Sequence, residues 1–505
     1  MRVELREIAL VVLLLICGIG AGHAEVAEPP APSDGILSLL PKARTSDHSI
    51  ELAGHTLEYQ AKAGTVSLLS ADGKVTAEIF YVAYALRPGA GHEPDHRRPI
   101  TFVFNGGPGA ASAYLHLGAL GPRVVATADD GGFLPSPQRL LDNPSTWLDM
   151  TDLVFVDPVG TGYSREAPGQ EARNFWGVKQ DAASMGAFIR LFLLQEGRTA
   201  SPVYLVGESY GGFRAALLAR TLQEDIGISP SGIVLISPAL EFALVRPDEF
   251  QPLHWALELP SLAAVRLSSD GITGPALRER LSGIEHYALG DYLAALTSGL
   301  ENGGQLASKR VAEITGLPLD LVQRNFARIP TMLFAKEFAR ARHTVLSPYD
   351  GTIETADVAP ESLGLDGPDP VLDRSVPVLT PAFVHYVREE LNFRTDLSYR
   401  LLNREISGKW DFGTSPTRQG YAGVMDDLQQ ARGLNPSMGV LIVNGATDLV
   451  TPYMTSAYLV SQLATLPGAK PIRTEMLEGG HMMYLRPDSR SALKKAATEL
   501  YQTAQ

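Results

Sequence analysis

Val203-Tyr204-Leu205-Val206-Gly207-Glu208-Ser209-Tyr210-Gly211-Gly212 passes from an apolar run through Gly-x-Ser-x-Gly into a helical pattern over residues 213–224. A strand that turns sharply through such a sequence into a helix is the setting of a nucleophile elbow. The turn leaves no room for side chains at its flanks, which accounts for Gly207 and Gly211. It lifts the Ser209 hydroxyl to the C-terminal edge of a sheet, above a helix N-terminus. Gly-x-Ser-x-Gly arises easily by chance in a chain with 48 glycines. The strand before it and the helix after it carry the assignment.

Outward from this stretch the same texture repeats. Short apolar runs at Ile100–Phe104, Asp152–Val156, 233–236, 440–443 and Ile472–Leu477 end in polar or Gly-rich loops, with helical patterns between them. Runs without polar alternation are strands buried on both faces, so the expected fold class is α/β with a mostly parallel central sheet. Upstream, residues 65–69 and Val75–Leu86 flank Asp72-Gly73, a hairpin signal. Residues 245–345 break the rhythm. Apolar residues there recur at helical spacing, as in Leu321-Val322-Gln323-Arg324-Asn325-Phe326, and read as a helical insertion over the sheet. Residues 359–381, with Pro360, Pro368, Pro370, Pro377 and Pro381, read as the loop that returns from it. The expected organisation is a first core segment 36–240, a helical cap with its return loop 241–380, and a second core segment 381–505.

A serine hydroxyl becomes a strong nucleophile only when a base takes its proton. After an elbow, the acid and then the histidine follow along the chain. The run 440–443 ends in Asn444-Gly445-Ala446-Thr447-Asp448, and Ile472–Leu477 ends in Glu478-Gly479-Gly480-His481. Both loops fall on the sheet edge that carries Ser209. His481 is the expected general base, and Asp448 the carboxylate that holds its tautomer. Glu478 and Asp488 are nearby rivals for Asp448. No other histidine follows a strand and a Gly-Gly turn. Asn105-Gly106-Gly107-Pro108-Gly109 closes Ile100–Phe104. Acyl transfer needs N–H groups aimed at a developing oxyanion. Tyr210, next after the nucleophile, supplies one, and the Gly-rich loop supplies the other at Gly107. The loop is not a phosphate cradle, because it contains neither Gly-Lys-Ser/Thr nor Gly-x-Gly-x-x-Gly.

Composition bounds the rest. The 505 residues carry 43 Lys and Arg against 56 Asp and Glu, a net charge of −13 with no basic block, so nucleic acid is not an expected partner. The single cysteine, Cys17, excludes a disulfide framework and a Cys-based zinc site, and no metal or organic cofactor is expected. Residues 1–24 have the parts of a secretory signal: Arg2 and Arg6, the apolar run 8–16, then Gly22-His23-Ala24. The apolar stretch is shorter than the ~20 residues of a spanning helix, which weighs against a membrane anchor. Ile16 is bulky for a lipid-attachment site at Cys17. Residues 25–35 follow as a Pro-rich, extended linker. Both Asn-x-Ser runs, 143–145 and 435–437, have Pro in the middle and are not glycosylation acceptors. An exported chain left without cysteine or such acceptors is expected to be bacterial, periplasmic or secreted, with no stable membrane association once the signal is cleaved. The sequence carries no signal of an oligomeric state.

Read in order, Asn105-Gly106-Gly107-Pro108-Gly109, then Asp157-Pro158-Val159-Gly160-Thr161-Gly162-Tyr163-Ser164, then the elbow, then Asp448 and Gly480-His481-Met482 resemble the serine carboxypeptidases. These are the S10 peptidases of the α/β-hydrolase fold, and the resemblance runs from about residue 100 to 490. It implies an α/β-hydrolase with a helical cap that removes C-terminal residues from peptides. It also implies that Asn105 and Glu208 bind the terminal carboxylate of the substrate. A Glu beside a carboxylate must be protonated to donate a hydrogen bond, so such enzymes favour acid.

The sequence departs from that family in three places. Gly109-Ala110-Ala111-Ser112 stands for Gly-Cys-Ser-Ser, Val103 for a frequent Trp, and Ala119-Leu120-Gly121-Pro122 for Glu-Leu-Gly-Pro. Ala119 removes the carboxyl partner of Glu208, so the acid preference should be weaker. If residues 110–119 are helical, His116 lies one turn from Ala119 on the same face and would be placed to bind the carboxylate as a cation. The competing reading is a core histidine beside Leu115 and Leu117. An esterase or acyltransferase would use the same triad. A catalytically dead binding protein would have a broken one, and this one is complete.

Overall fold

The apolar runs pair into one twisted sheet, and their burial decides its order. The structure, a computed structural model, describes residues 35–87, 97–246, 250–413 and 422–504. The expected signal segment, Cys17 and all of the linker but residue 35 lie outside the described residues. Three strands lead the sheet antiparallel to one another: β1 (Arg44–Leu52), β2 (His55–Leu69) and β3 (Val75–Leu86). Burial alternates along much of β2, as expected where one face meets the core and the other meets solvent. β4 (Ile100–Phe104) and β5 (Asp152–Val156) are parallel neighbours, and β5 joins β3 antiparallel. On its other side β4 continues through β6 (Val203–Glu208), β7 (Gly232–Ile236), β8 (Gly439–Gly445) and β9 (Ile472–Leu477), all parallel. The order is β1-β2-β3-β5-β4-β6-β7-β8-β9, with the two-residue strand Arg165–Glu166 added against β3. This is the mostly parallel sheet of an α/β-hydrolase.

Every residue from β4 to β8 is buried. Their side chains alternate between two apolar layers. Ile100, Phe102 and Phe104 face one layer and Val103 the other; Ile233 and Leu235 part from Val234 and Ile236 in the same way. Each large aliphatic buried so contributes roughly 1.5–3 kcal/mol. Two helices, α1 (Val178–Gln195) and α2 (Tyr210–Thr221), cover the first layer through Phe188, Phe192, Phe213 and Leu218. The edge strand β9 is only half-buried, and Arg473 on it pairs with Glu475 and Glu499.

After β7 the chain leaves the sheet. Three longer helices follow, α3 (Pro252–Ser269), α4 (Gly274–Tyr287) and α5 (Leu300–Thr315), with shorter turns between and after them. Among the described residues from 242 to 337 no strand occurs. The segment returns through a two-stranded ribbon, Thr344–Leu346 with Glu354–Ala356. Lys336, fully buried, fixes the return by reaching Asp357 and the carbonyl of Ala359, each at 2.7 Å.

Residues 359–381 are not all loop, contrary to the expectation from their prolines. α6 (Leu372–His385) occupies the second half and contains Pro377 and Pro381. Each proline lacks an N–H and frees the carbonyl four residues back. Spaced by four, both fall on one face, which is the exposed face with Arg374 and His385. Water can serve the freed carbonyls there, while Ser375, Val378, Leu379, Ala382 and Phe383 are buried on the other side. α7 (Pro487–Ala504) closes the second layer with Leu493, Ala497 and Leu500. Among the described residues no helix is long and apolar enough to cross a membrane.

Candidate active site

Ser209 sits in the turn between β6 and α2 with φ 57° and ψ −123°. A positive φ at a non-glycine residue costs on the order of 1–3 kcal/mol and persists only where its surroundings enforce it. Here they do. A Cβ on Gly207 would collide with the Gly211 carbonyl, and one on Gly211 would meet the Phe104 carbonyl oxygen at 2.5 Å. The strained turn is pinned by the Ser209 N–H to the Ile236 carbonyl at 3.0 Å. Tyr210 is the first residue of α2, so its N–H is one of the orphan donors of a helix N-terminus. The Gly106-Gly107 loop passes directly over the elbow. A Cβ at Gly106 would lie 2.5 Å from the Tyr210 nitrogen, and Gly107 has φ +100°.

The ends of β8 and β9 bring up the acid and the histidine. His481 Nδ1 lies 2.8 Å from Asp448 Oδ2. Asp448 is fully buried, and its carboxylate accepts from the N–H groups of Val450 and Thr451 and from the Thr451 hydroxyl. Glu478 does not compete: it turns away to the N–H of Gly274, at 2.6 Å. Burial alone would lower the His481 pKa. The charge and hydrogen bond of Asp448, with Glu208 behind, outweigh burial and hold the ring above its ordinary value. Ser209 and His481 open onto one cavity of about 910 Å³, whose wall also includes Asn105, Gly107, Glu208 and Tyr210.

Asn105 and Glu208 form a second cluster beside the elbow. Asn105 Oδ1 accepts from the Leu115 N–H at 3.0 Å, which leaves its Nδ2 to donate to Glu208 Oε2. The backbone carbonyl of Asn105 is held at 2.7 Å by Arg214, itself paired with Asp181 at 2.6 Å. Glu208 also accepts from the Tyr484 hydroxyl, 3.0 Å from each carboxyl oxygen. Burial pushes the Glu208 carboxyl up to about 7, against the charge of His481 and the two donors Tyr484 and Asn105. Ala119 is buried, so no second carboxyl stands at that position.

His116 is not part of the site. Its ring is buried with no exposed surface, stacked 4.1 Å from Phe155, and its Nε2 lies 2.6 Å from the Tyr84 hydroxyl. Burial pushes its pKa down to about 3, so the ring is neutral and offers no cation. The helical turn that carries it, Ala113–Leu115 continuing through His116–Leu120, directs it against the sheet rather than into the cavity.

Three residues of the site escape a reading by spacing alone. Thr451 supports Asp448 from three positions further along the same loop. Tyr484 stands on the histidine loop and reaches Glu208; the clue in the sequence is the lone Glu208 that Ala119 leaves. Asp350 comes from the return of the insertion. Its Oδ1 accepts from the Thr447 hydroxyl at 2.8 Å, and its Oδ2 from the Gly480 N–H at 3.0 Å and from Arg486 at 3.2 Å. It thus ties the acid loop to the histidine loop. The motif 157–164 proves to be scaffolding. Asp157 accepts from the N–H and hydroxyl of Ser112, and burial pushes its carboxyl up to about 6.

Comparison with known proteins agrees with this fold. Residues 55–231 match the family profile of the serine carboxypeptidases, peptidase S10. A carboxypeptidase Y homolog from Arthroderma benhamiae is 31% identical over 29% of this chain and 28% of its own length. Serine carboxypeptidase-like 51 from Arabidopsis thaliana is 26% identical over 43% of this chain and 44% of its own. The chain thus covers less than half the length of either relative. Asp448 and His481 lie beyond the profile match. The solved structure of a prohormone-processing carboxypeptidase from Saccharomyces cerevisiae superposes over 87% of this chain and 91% of its own, with a TM-score of 0.55 at 16% identity, a likeness of fold.

Proposed function

We propose, from the premise that this chain belongs to the serine carboxypeptidase family, that it is a serine-type hydrolase releasing C-terminal residues from peptides. The observation that carries the reading is the meeting of two clusters in one cavity: Ser209 with Asp448 and His481, and Asn105 with Glu208. In this reading Ser209 Oγ attacks the scissile carbonyl as His481 Nε2 takes its proton. The oxyanion develops toward the N–H groups of Gly107 and Tyr210. His481 passes the proton to the leaving amine, the acyl-enzyme forms on Ser209, and water activated by His481 releases it. Asp448 holds the Nδ1–H and stabilises the imidazolium. Asn105 and protonated Glu208 donate to the terminal carboxylate and so select the last residue.

The core is formed by residues 36–240 and 381–505, and 241–380 serve as the cap. Residues 1–24 are removed on export, and the mature enzyme works in a bacterial periplasm or outside the cell. N-terminal sequencing of the exported enzyme should then begin at Glu25.

One observation favours a second reading, an esterase or acyltransferase. Ala119 leaves Glu208 without the carboxyl partner that the resemblance leads one to expect. A single assay separates the two: an N-blocked dipeptide, its C-terminal amide and a simple ester. A carboxypeptidase takes the free acid well above the amide. Ester turnover with neither peptide cleaved overturns that reading.

A further inference from the structure

We propose that Tyr484 is a positioning residue that stands in for the missing carboxyl partner of Glu208 in recognising the terminal carboxylate of a substrate. The inference rests on the carboxypeptidase reading above and adds to it the group that makes a lone Glu208 serviceable. Tyr484 is fully buried and takes no part in the cavity wall; its hydroxyl lies 3.0 Å from both oxygens of Glu208.

The space for it is built. A Cβ on Gly118 would lie 2.7 Å from Tyr484 Cε2, so only a glycine there admits the ring. Gly118 adjoins Ala119, so the turn that lacks a carboxyl is the one that accommodates the phenol. Arg490 clamps the arrangement from below, with Nη1 3.2 Å from the Gly118 carbonyl and 3.4 Å from that of Tyr484.

Proton counting gives the consequence. In a pair of carboxyls one proton is shared, and the pair loses it in coupled steps. A phenol partner is different. Burial, then the charge of Glu208, hold Tyr484 far above its ordinary pKa, so it remains a donor throughout the working range. With Glu208 neutral, Asn105 N–H and Tyr484 O–H can both donate to one carboxyl oxygen. The O–H on the other oxygen is then free to donate to a substrate carboxylate. The other groups that act on Glu208 or respond to it are His481, which favours its charged form, Asp448, which opposes it, and the phenols of Tyr114 and Tyr349. Because Tyr484 donates, its removal moves Glu208 upward, whereas loss of a like-charged partner would move it downward.

The test uses the full chain and measures KM and kcat from pH 5 to 9 on an N-blocked dipeptide and on its C-terminal amide. For Tyr484→Phe the expected result is about a tenfold rise in KM for the free acid, the size of one lost hydrogen bond to a carboxyl group. Its kcat and the amide kinetics stay near wild type, and the alkaline limb of kcat/KM moves to higher pH. Gly118→Ala, which only displaces the ring, should give the same pattern at smaller size and serves if Tyr484→Phe does not fold. Equal losses on acid and amide, or no displacement of the limb, overturn the proposal. A wild type that does not favour the acid over the amide overturns instead the reading on which it rests.

Discussion

Glu208 and Ser209 are joined by one peptide bond, yet they belong to differently built halves of the cavity. On the reactive side, position is set by backbone strain and by a buried carboxylate: a positive φ at Ser209 and a hydrogen bond between His481 and a fully buried Asp448. On the recognising side, the proposed function needs a protonated Glu208, whose carboxyl burial pushes up to about 7 beside the neutral donors Asn105 and Tyr484. The two halves therefore respond to acid in opposite senses. In the proposed mechanism His481 must be neutral to accept a proton and works above its pKa, which is raised. Glu208, in the same proposal, must be protonated to donate and works below its pKa of about 7.

The largest expected effect separates the halves outright. Ser209→Ala should lower kcat by about 10⁶ on acid, amide and ester alike, while the KM of the free acid stays within about twofold. A fluorophosphonate should label the wild type once, at Ser209, and label found on another serine would remove the reactive half from this site. Asp448→Asn should cost about 10⁴ in kcat, again on all substrates, through the wrong tautomer of His481. A loss confined to the free acid would mean that Asp448 belongs with recognition.

Glu208→Gln tests the other half. It should raise KM for the free acid about tenfold, leave the amide unchanged, and abolish the fall in kcat/KM above pH ~7, since the amide side chain does not ionise. The acid limb set by His481 should survive in this variant. If the alkaline limb survives too, another group governs carboxylate binding.

The smallest effect on activity is expected at His116. His116→Ala should leave KM and kcat unchanged while lowering stability by about 3 kcal/mol, as for other buried aromatics. The wild type should also lose stability as pH falls from about 6.5 toward about 3, because the unfolded chain protonates this ring long before the folded one does. Thermal melts across that range should show a shallower decline in the variant.

The sheet was legible because its strands are buried on both faces. Runs such as Ile100–Phe104 are too short for a helix and rich in β-branched and aromatic residues, which favours a buried strand, and the glycine loops after them mark one edge. The placement of Ser209, Asp448, His481 and the Gly107 loop on one sheet edge could be read for the same reason, as each sits where a strand stops. Legibility failed where context decides. Pro377 and Pro381 speak locally for loop, and only the burial of the opposite face makes them tolerable in α6. His116 has the spacing of a ligand, but spacing does not tell which face of a turn meets the sheet. Tyr484 and Asp350 act across 276 and 130 positions of sequence, distances over which no periodic pattern extends.

Asp350 bears on how this molecule can be cut and rejoined. It belongs to the return of the inserted segment, yet it is the bracket between the loops of Asp448 and His481. An exchange of the whole insertion for that of another hydrolase would leave all parallel strands in place and still unfasten the catalytic loops. Transplants that keep residues 344–356 of the native chain should retain turnover where wholesale ones lose it. Substrate selectivity can then be traded between such enzymes by exchanges that spare this ribbon, so this stretch is where modularity ends.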